Sequence, residues 1–146
     1  MEFQDCIDFA HESRICYVAT ADGDQPRIRP LGLWFADEKG FYFQTENVKA
    51  IYHQLKSNNK IELCFFAATP PPGKVLRVTG EAEFIDDVAL KTKVLADRPF
   101  LKGLGINEPT DPLLVLFRVP VGEAYFWTMA DNMKEARIPR IKFGQA

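Results

Sequence analysis

The sequence predicts a mainly β domain with peripheral helices, built as a small closed barrel. β-branched and aromatic residues recur in about seven short runs, and most of these runs are separated by turn signals at hairpin spacing. The hydrophobic period changes from two to 3.6 in only a few places, and strands do not alternate with helices as they do in βαβ units. A closed barrel is expected because closure removes the unpaired edges that an open sheet exposes.

The first third of the chain predicts a helix, three strands and a second helix. Apolar residues at helical spacing over residues 3–10 predict a short amphipathic helix. Strands at residues 15–21, 27–35 and 41–45 are joined by short turns, which predicts an antiparallel meander. Apolar residues at i, i+3, i+4 and i+7 predict the clearest helix of the chain over residues 48–55.

The remainder predicts further strands and one more helix. Asp86 is a suitable cap for a helix that continues through Ala96, and Gly80 inside a long strand predicts a bulge or a close backbone approach. Residues 98–112 contain three prolines and two glycines and are expected to be irregular. Strands are expected at residues 61–68, 74–85, 113–119 and 124–129.

Composition excludes several classes of protein. The 146 residues are 47% hydrophobic and 26% charged, which is typical of one globular domain over residues 1–146. The net charge of −2 gives no basic excess for nucleic acid or anionic lipid. Three cysteines without CxxC spacing predict neither a disulfide framework nor a zinc site, and no apolar run is long enough to span a bilayer. We therefore expect a cytoplasmic protein with no nucleic-acid or membrane partner.

The chain lacks the usual catalytic motifs. It has two histidines, His11 and His53, and it contains no GxSxG, P-loop or GxGxxG motif. The catalytic residues therefore stay unknown, no metal site is expected, and any chemistry is expected to come from a bound cofactor.

Two basic residues on one strand form the first candidate site. Arg27 and Arg29 are two residues apart, so their side chains point to the same face of the strand. Like charges side by side are unfavourable unless an anion or a carboxylate lies between them. A bound phosphate and a solvated strand face are both compatible with this pattern.

The start of the clearest helix is the second candidate site. Thr45 or Asn47 is expected to cap it, and its free backbone N–H groups and dipole attract an anion. Lys49 lies in the first turn, where a cation is electrostatically unfavourable without a partner. A phosphate would supply that partner; the alternative is that Glu46 pairs with Lys49.

Five segments of the chain occur in an order that is typical of one protein family. They are Ala19-Thr20-Ala21-Asp22-Gly23, Pro26-Arg27-Ile28-Arg29-Pro30-Leu31, Phe41-Tyr42-Phe43-Gln44-Thr45, Lys49 with Leu55, and Arg77-Val78-Thr79-Gly80-Glu81-Ala82. In this order they resemble the pyridoxamine 5′-phosphate oxidase-like family, whose fold is the FMN-binding split β-barrel. The match is good over residues 15–85 and elsewhere rests on strand content and length. The resemblance implies a homodimer with FMN in the groove between the two chains.

The resemblance also implies which residues bind FMN. The basic and polar residues of the two candidate sites would hold the phosphate and ribityl chain, backbone after the second arginine would face the flavin ring, and two residues of later strands would flank the site. These residues are Arg27, Arg29, Pro30, Leu31, Thr45, Asn47, Lys49, Arg77 and Trp127.

The implied function is that of an FMN-dependent oxidoreductase that transfers electrons or hydride between a reduced nicotinamide and a small-molecule acceptor. The C-terminal segment differs from the arginine- and tryptophan-bearing tail of true pyridoxamine phosphate oxidases, so another substrate is expected. The alternative is a non-catalytic protein that holds flavin or haem on the same scaffold.

Overall fold

One antiparallel sheet of eight strands forms the body of the protein. The structure, a computed structural model, describes residues 1–144. The strand order is β2-β1-β5-β6-β7-β4-β3, and β8 pairs with β7. The predicted mainly β class with peripheral helices is confirmed. The helices are α1 (Phe3–Ser13), α2 (Ala50–Ser57), α3 (Val88–Asp97) and α4 (Phe100–Gly103), and the strands are β1 (Ile15–Asp22), β2 (Gln25–Gly32), β3 (Phe35–Asp37), β4 (Gly40–Glu46), β5 (Lys60–Ala67), β6 (Lys74–Ile85), β7 (Leu114–Thr128) and β8 (Ile141–Phe143).

The predicted strand at residues 27–35 is two strands that lie at opposite ends of the sheet order. The chain leaves β2 after Gly32 and enters β3 at Phe35, so the segment between them joins the two ends of the sheet into a barrel. In that segment Leu33 N donates to Arg14 O at 2.7 Å, and Trp34 N donates to Tyr42 O at 3.0 Å. Both predicted hairpins are therefore present, as β1–β2 and β3–β4, but the single middle strand of the predicted meander is wrong, because these tertiary contacts redirect the chain.

A single 15-residue strand, β7, replaces the two strands predicted over residues 113–129. Its partner β6 carries a bulge between Glu81 and Glu83, and Gly80 lies opposite Gly122. A Cβ at Gly80 would lie 2.6 Å from Val121 O, so the close backbone approach predicted at Gly80 is confirmed, whereas the bulge follows it between Glu81 and Glu83. Gly122 allows β7 to run straight through the segment that the sequence predicts as a turn.

Two hydrophobic cores share strand β4, whose seven residues are all buried. Phe41 and Phe43 face the barrel interior, where they pack with Phe65, Phe117 and residues of α1 and α2. Tyr42, on the opposite face of β4, packs in a second core with residues of α3 and α4. Because β4 is fully buried, the position of its last residue, Glu46, is fixed. The short turn that follows leads into α2 at Ala50.

The helix boundaries differ slightly from the predictions. α2 begins at Ala50 rather than at residue 48, and Asp87, not Asp86, caps α3 by accepting from Leu90 N at 2.9 Å. α4 and β8 lie in segments without a clear pattern and are missed by sequence reasoning because each is only three or four residues long. No helix within residues 1–144 has the length and apolar character needed to cross a bilayer.

Candidate functional site

Arg29 lies where β1, β2 and α2 meet. It is paired in register with Val18, so its side chain is on the barrel side of the sheet. Its Nη1 donates to Thr20 Oγ1 at 2.8 Å and to Val18 O at 3.3 Å, and its Nη2 donates to Gln54 Oε1 at 2.5 Å. These bonds use three of the five guanidinium N–H donors. Burial lowers the pKa of Arg29, because its charged form loses part of its hydration.

Arg27 shares the strand face of Arg29, as predicted, but it has a different partner. Its Nε lies 3.2 Å from Asp22 Oδ2, and both side chains are about half exposed. Leu31, two residues after Arg29, is half-buried and packs against the barrel core. Of the two arginines, Arg29 is the one that combines burial with the absence of a carboxylate partner within residues 1–144.

The start of α2 has no side-chain cap. Lys49 is its N-cap residue, whereas Asn47 Nδ2 donates to Pro112 O at 2.9 Å and Thr45 is fully buried. The prediction that Thr45 or Asn47 caps the helix is therefore wrong, because α2 begins three residues after Asn47. Thr45 Oγ1 has no hydrogen-bond partner among the described residues. Lys49 Nζ lies 3.3 Å from Glu46 Oε1, so the ion pair considered as an alternative is present.

Arg98, Gln44 and Glu46 form a series of hydrogen bonds next to the start of α2, and the sequence analysis did not predict it. Arg98, just after α3, donates to Gln44 Oε1 at 2.6 Å and to Leu33 O at 2.8 Å. Gln44 Nε2 in turn donates to the buried Glu46 Oε2 at 2.8 Å. These bonds tie the end of β2 to the end of β4, and no local pattern around Arg98 predicts them.

Arg77 and Tyr125 lie on the opposite, outer face of the sheet, as register partners on β6 and β7. Arg77 Nε donates to Glu62 Oε2 at 2.7 Å, and the Tyr125 hydroxyl donates to Glu135. The Arg140 guanidinium stacks 3.9 Å from the centroid of the Tyr125 ring. These five residues line a polar cavity of about 450 Å³, of which sequence reasoning identified only Arg77.

Trp127 lies on the same outer face, in register with Val75. It is half-buried and borders the space beside Arg77 and Tyr125. The structure therefore places Arg77 and Trp127 near each other, but on the other side of the sheet from Arg29. Within one chain the predicted site residues form two separate groups.

Apolar side chains are exposed on this outer face towards β2. Ile28 is 69% exposed, Ile15 50%, Phe66 49% and Tyr17 44%. Tyr17 lies opposite Pro30, and alternation along β1, β2 and β5 places all of these side chains on one face. An apolar patch of this kind is typical of a surface that contacts another protein.

The family profile for pyridoxamine 5′-phosphate oxidase matches residues 4–128. The chain belongs to the pyridoxamine 5′-phosphate oxidase family. The match spans both groups of site residues described above, and the split-barrel architecture agrees with it. A comparison with curated protein sequences gives no match.

Solved structures with the same fold include proteins of different kinds. A NimC/NimA family protein from Clostridium acetobutylicum is 26% identical, with a TM-score of 0.76 over 96% of this chain and 92% of the other. An FAD-binding protein from Mesorhizobium loti is 18% identical, with a TM-score of 0.65 over 86% and 92% of the two chains. HutZ, the haem storage protein of Vibrio cholerae, is 13% identical, with a TM-score of 0.64 over 88% and 95%.

Two features of this pyridoxamine 5′-phosphate oxidase family member fit a phosphate. Two N–H donors of Arg29 are unused, and the first turn of α2 lacks a side-chain cap, whereas the Thr45 hydroxyl is enclosed by protein and is not accessible to a ligand. The Glu46 carboxylate opposes an anion here, since it is buried and already neutralises Lys49. The free N–H donors of Arg29 and of the first turn of α2 outnumber this single carboxylate. The residues present therefore fit a phosphate.

Proposed function

We propose that this protein binds FMN as a homodimer and transfers electrons or hydride between a reduced nicotinamide and a small acceptor. The observation that carries the proposal is the position of Arg29, which is held beside α2 by Thr20 and Gln54 with two donors unused. Membership of the pyridoxamine 5′-phosphate oxidase family supports flavin as the ligand.

The phosphate of FMN would be held by groups beside α2. Arg29 and Lys49 supply positive charge and the α2 backbone supplies N–H donors, while the enclosed Thr45 packs beneath them rather than contacting the phosphate. Asn47 would position the turn through its bond to Pro112. Arg27 would add positive charge at the edge of the site, since it lies on the same strand face as Arg29.

The flavin ring would lie beyond the phosphate, against the backbone of Pro30 and Leu31. When bound, the flavin supplies the hydride and electron chemistry, and the protein supplies binding, orientation and electrostatics. The chain's own contribution is therefore a preorganised set of donors at one end of the cofactor.

A second copy of the chain would complete the site. The exposed apolar side chains around Tyr17 and Ile28 supply a surface for it, and its outer face would bring Arg77 and Trp127 towards the flavin of the first copy. This arrangement would explain why one chain alone keeps the two groups of site residues apart.

A second candidate function is storage of flavin or haem without turnover. The same fold is found in HutZ, a haem storage protein, so the scaffold by itself does not establish catalysis. Of the two histidines, His11 Nε2 accepts from Ala36 N at 3.0 Å and His53 is exposed on α2.

The absorbance spectrum of the purified protein tests the proposal. We expect a flavin spectrum, release of FMN on denaturation as identified by mass, and bleaching of the bound flavin by NADH or NADPH. Bound flavin that neither nicotinamide reduces would support the storage function instead. A protein that takes up no FMN would contradict both flavin functions.

A further inference from the structure

A second cavity, of about 420 Å³, lies beside the C-terminal end of β7. Its wall is mostly apolar and includes Phe126, Ile138 and Ile141. Phe126 faces the barrel side of the sheet, whereas its neighbours Tyr125 and Trp127 face the outer side. The cavity therefore lies on the other side of β7 from the outer polar cavity, with Arg140 bordering both, and its volume is typical of a small-molecule pocket.

Two side-chain cations of the cavity wall, Lys74 and Arg140, form no ion pair within residues 1–144. Lys74 borders the cavity with its ammonium 4.4 Å from the centroid of the Phe126 ring and 5.8 Å from that of Phe9. Lys74 is half-buried and forms no ion pair with any of residues 1–144. Removing an ammonium from water without an acceptor is unfavourable, so an anion beside Lys74 would be stabilised.

The other charged groups of the wall are already engaged. Asp131 Oδ2 accepts from Thr128 N and from Thr128 Oγ1, both at 3.1 Å. The Arg140 guanidinium stacks on Tyr125, on the outer face of the sheet. Arg140 Nη1 also donates to Glu135 O at 3.2 Å and to Ile138 O at 2.8 Å, so Lys74 is the wall cation whose side chain has no hydrogen-bond partner within residues 1–144.

We propose that this cavity binds a small apolar carboxylate, with the carboxylate at Lys74 and the apolar body against Phe126, Ile138 and Ile141. The apolar wall would contact the apolar part of such a ligand. The Lys74 ammonium, which lies over the Phe126 ring without an anionic partner, would pair with its single negative charge. The site does not depend on the flavin proposal, because none of the proposed FMN residues lines it.

Calorimetric titration of naphthalene-1-acetate into FMN-treated protein tests this site. We expect a dissociation constant on the order of 0.1–1 mM, since a ligand of this size gains only a fraction of a kcal/mol per heavy atom. The uncharged analogue 2-(1-naphthyl)ethanol should bind at least about tenfold more weakly, because it cannot pair with the ammonium. Equal affinity for the two probes, or no heat at millimolar probe, would overturn the proposal.

Three variants test whether naphthalene-1-acetate binds in this cavity. Lys74→Met keeps most of the side-chain volume and should weaken naphthalene-1-acetate about tenfold or more. Lys142→Met is the matched control: Lys142 is exposed on β8, next to Ile141 in sequence but on the other strand face, and its loss should change nothing. Ile138→Trp should fill the cavity and abolish binding while FMN uptake, which verifies folding, persists. Wild-type affinity in Lys74→Met or Ile138→Trp would refute the assignment.

Discussion

Arg29 donates from Nη2 to Oε1 of Gln54 at 2.5 Å, which joins β2, the strand at one end of the sheet order, to α2. The same Gln54 oxygen accepts from Thr20 Oγ1 at 2.6 Å, and both of these partners are buried. The guanidinium is therefore oriented before any ligand arrives, and less conformational entropy is lost when a phosphate binds.

Arg29→Ala should weaken FMN binding about tenfold to a hundredfold, because each charge-assisted hydrogen bond contributes roughly 1.5–3 kcal/mol. Lys60→Ala is the control, since Lys60 forms an exposed pair with Glu81 and is not among the proposed FMN-binding residues. Calorimetry with FMN on ligand-free protein measures both affinities. Equal affinities for the Arg29 variant and the wild type would refute the assigned phosphate site.

Lys49 and Glu46 should have opposite effects on FMN affinity. Lys49→Ala removes a cation and should weaken binding about tenfold. Glu46→Gln keeps the side-chain shape but removes the carboxylate that competes for Lys49, so it should strengthen binding severalfold. The same titration measures both variants, and weaker binding in Glu46→Gln would show that Lys49 does not contact the phosphate.

Ile28→Asp should convert the proposed dimer to a monomer, because a charge would be placed on the exposed apolar face at its most exposed residue. Val88→Asp is the matched control: Val88 is 57% exposed but lies in the first turn of α3, where an acidic residue is tolerated. Sedimentation velocity at micromolar concentration distinguishes the two states. A wild-type protein that sediments only as a monomer would contradict the shared site.

Asp97→Asn should destabilise the protein near neutral pH but not at low pH. Hydrogen bonds from Lys93 Nζ at 2.6 Å and from Trp34 Nε1 at 2.9 Å hold the pKa of Asp97 below its ordinary value of 3.8. A lowered folded-state pKa stabilises the native state above the ordinary value, and that stabilisation is lost as the pH falls through the lowered value. Urea unfolding near pH 7 and near pH 2 measures the difference.

The control for this measurement is Asp24→Asn, in the exposed turn between β1 and β2. Its effect on the free energy of unfolding should be small and the same at both pH values. A destabilisation by Asp97→Asn that does not change with pH would show that the ion pair with Lys93 contributes nothing.

Cys6 and Cys16 should not react with thiol reagents in the native protein. Both are fully buried, and burial is the main cause that raises the pKa of Cys6 to about 11 and raises that of Cys16 further. Near pH 8 a disulfide reagent should label them only as fast as the protein unfolds, whereas all three cysteines react at once in denaturant. Peptide mass mapping identifies the labelled sites, and rapid native labelling of Cys16 would contradict the packing described here.

Local pattern was sufficient for much of the secondary structure. Alternating side chains over residues 74–85 predict β6 with its observed bounds, and the Gly80 irregularity follows from the residue type alone. The shared face of Arg27 and Arg29 also follows from the strand period. In each of these cases the physical cause acts within a few residues, so the sequence contains it.

Only the tertiary structure determines which hydrogen-bond partners these side chains have. Gln54 is 25 residues from Arg29, and Arg98 is 54 residues from Gln44, so neither hydrogen bond leaves a trace in local periodicity. The turn at Leu33 and Trp34 likewise depends on carbonyls of Arg14 and Tyr42. Local sequence determines which side chains share a face over a few residues. Burial of a charge, which is unfavourable unless the charge has a hydrogen-bond partner, arises only when distant segments pack together.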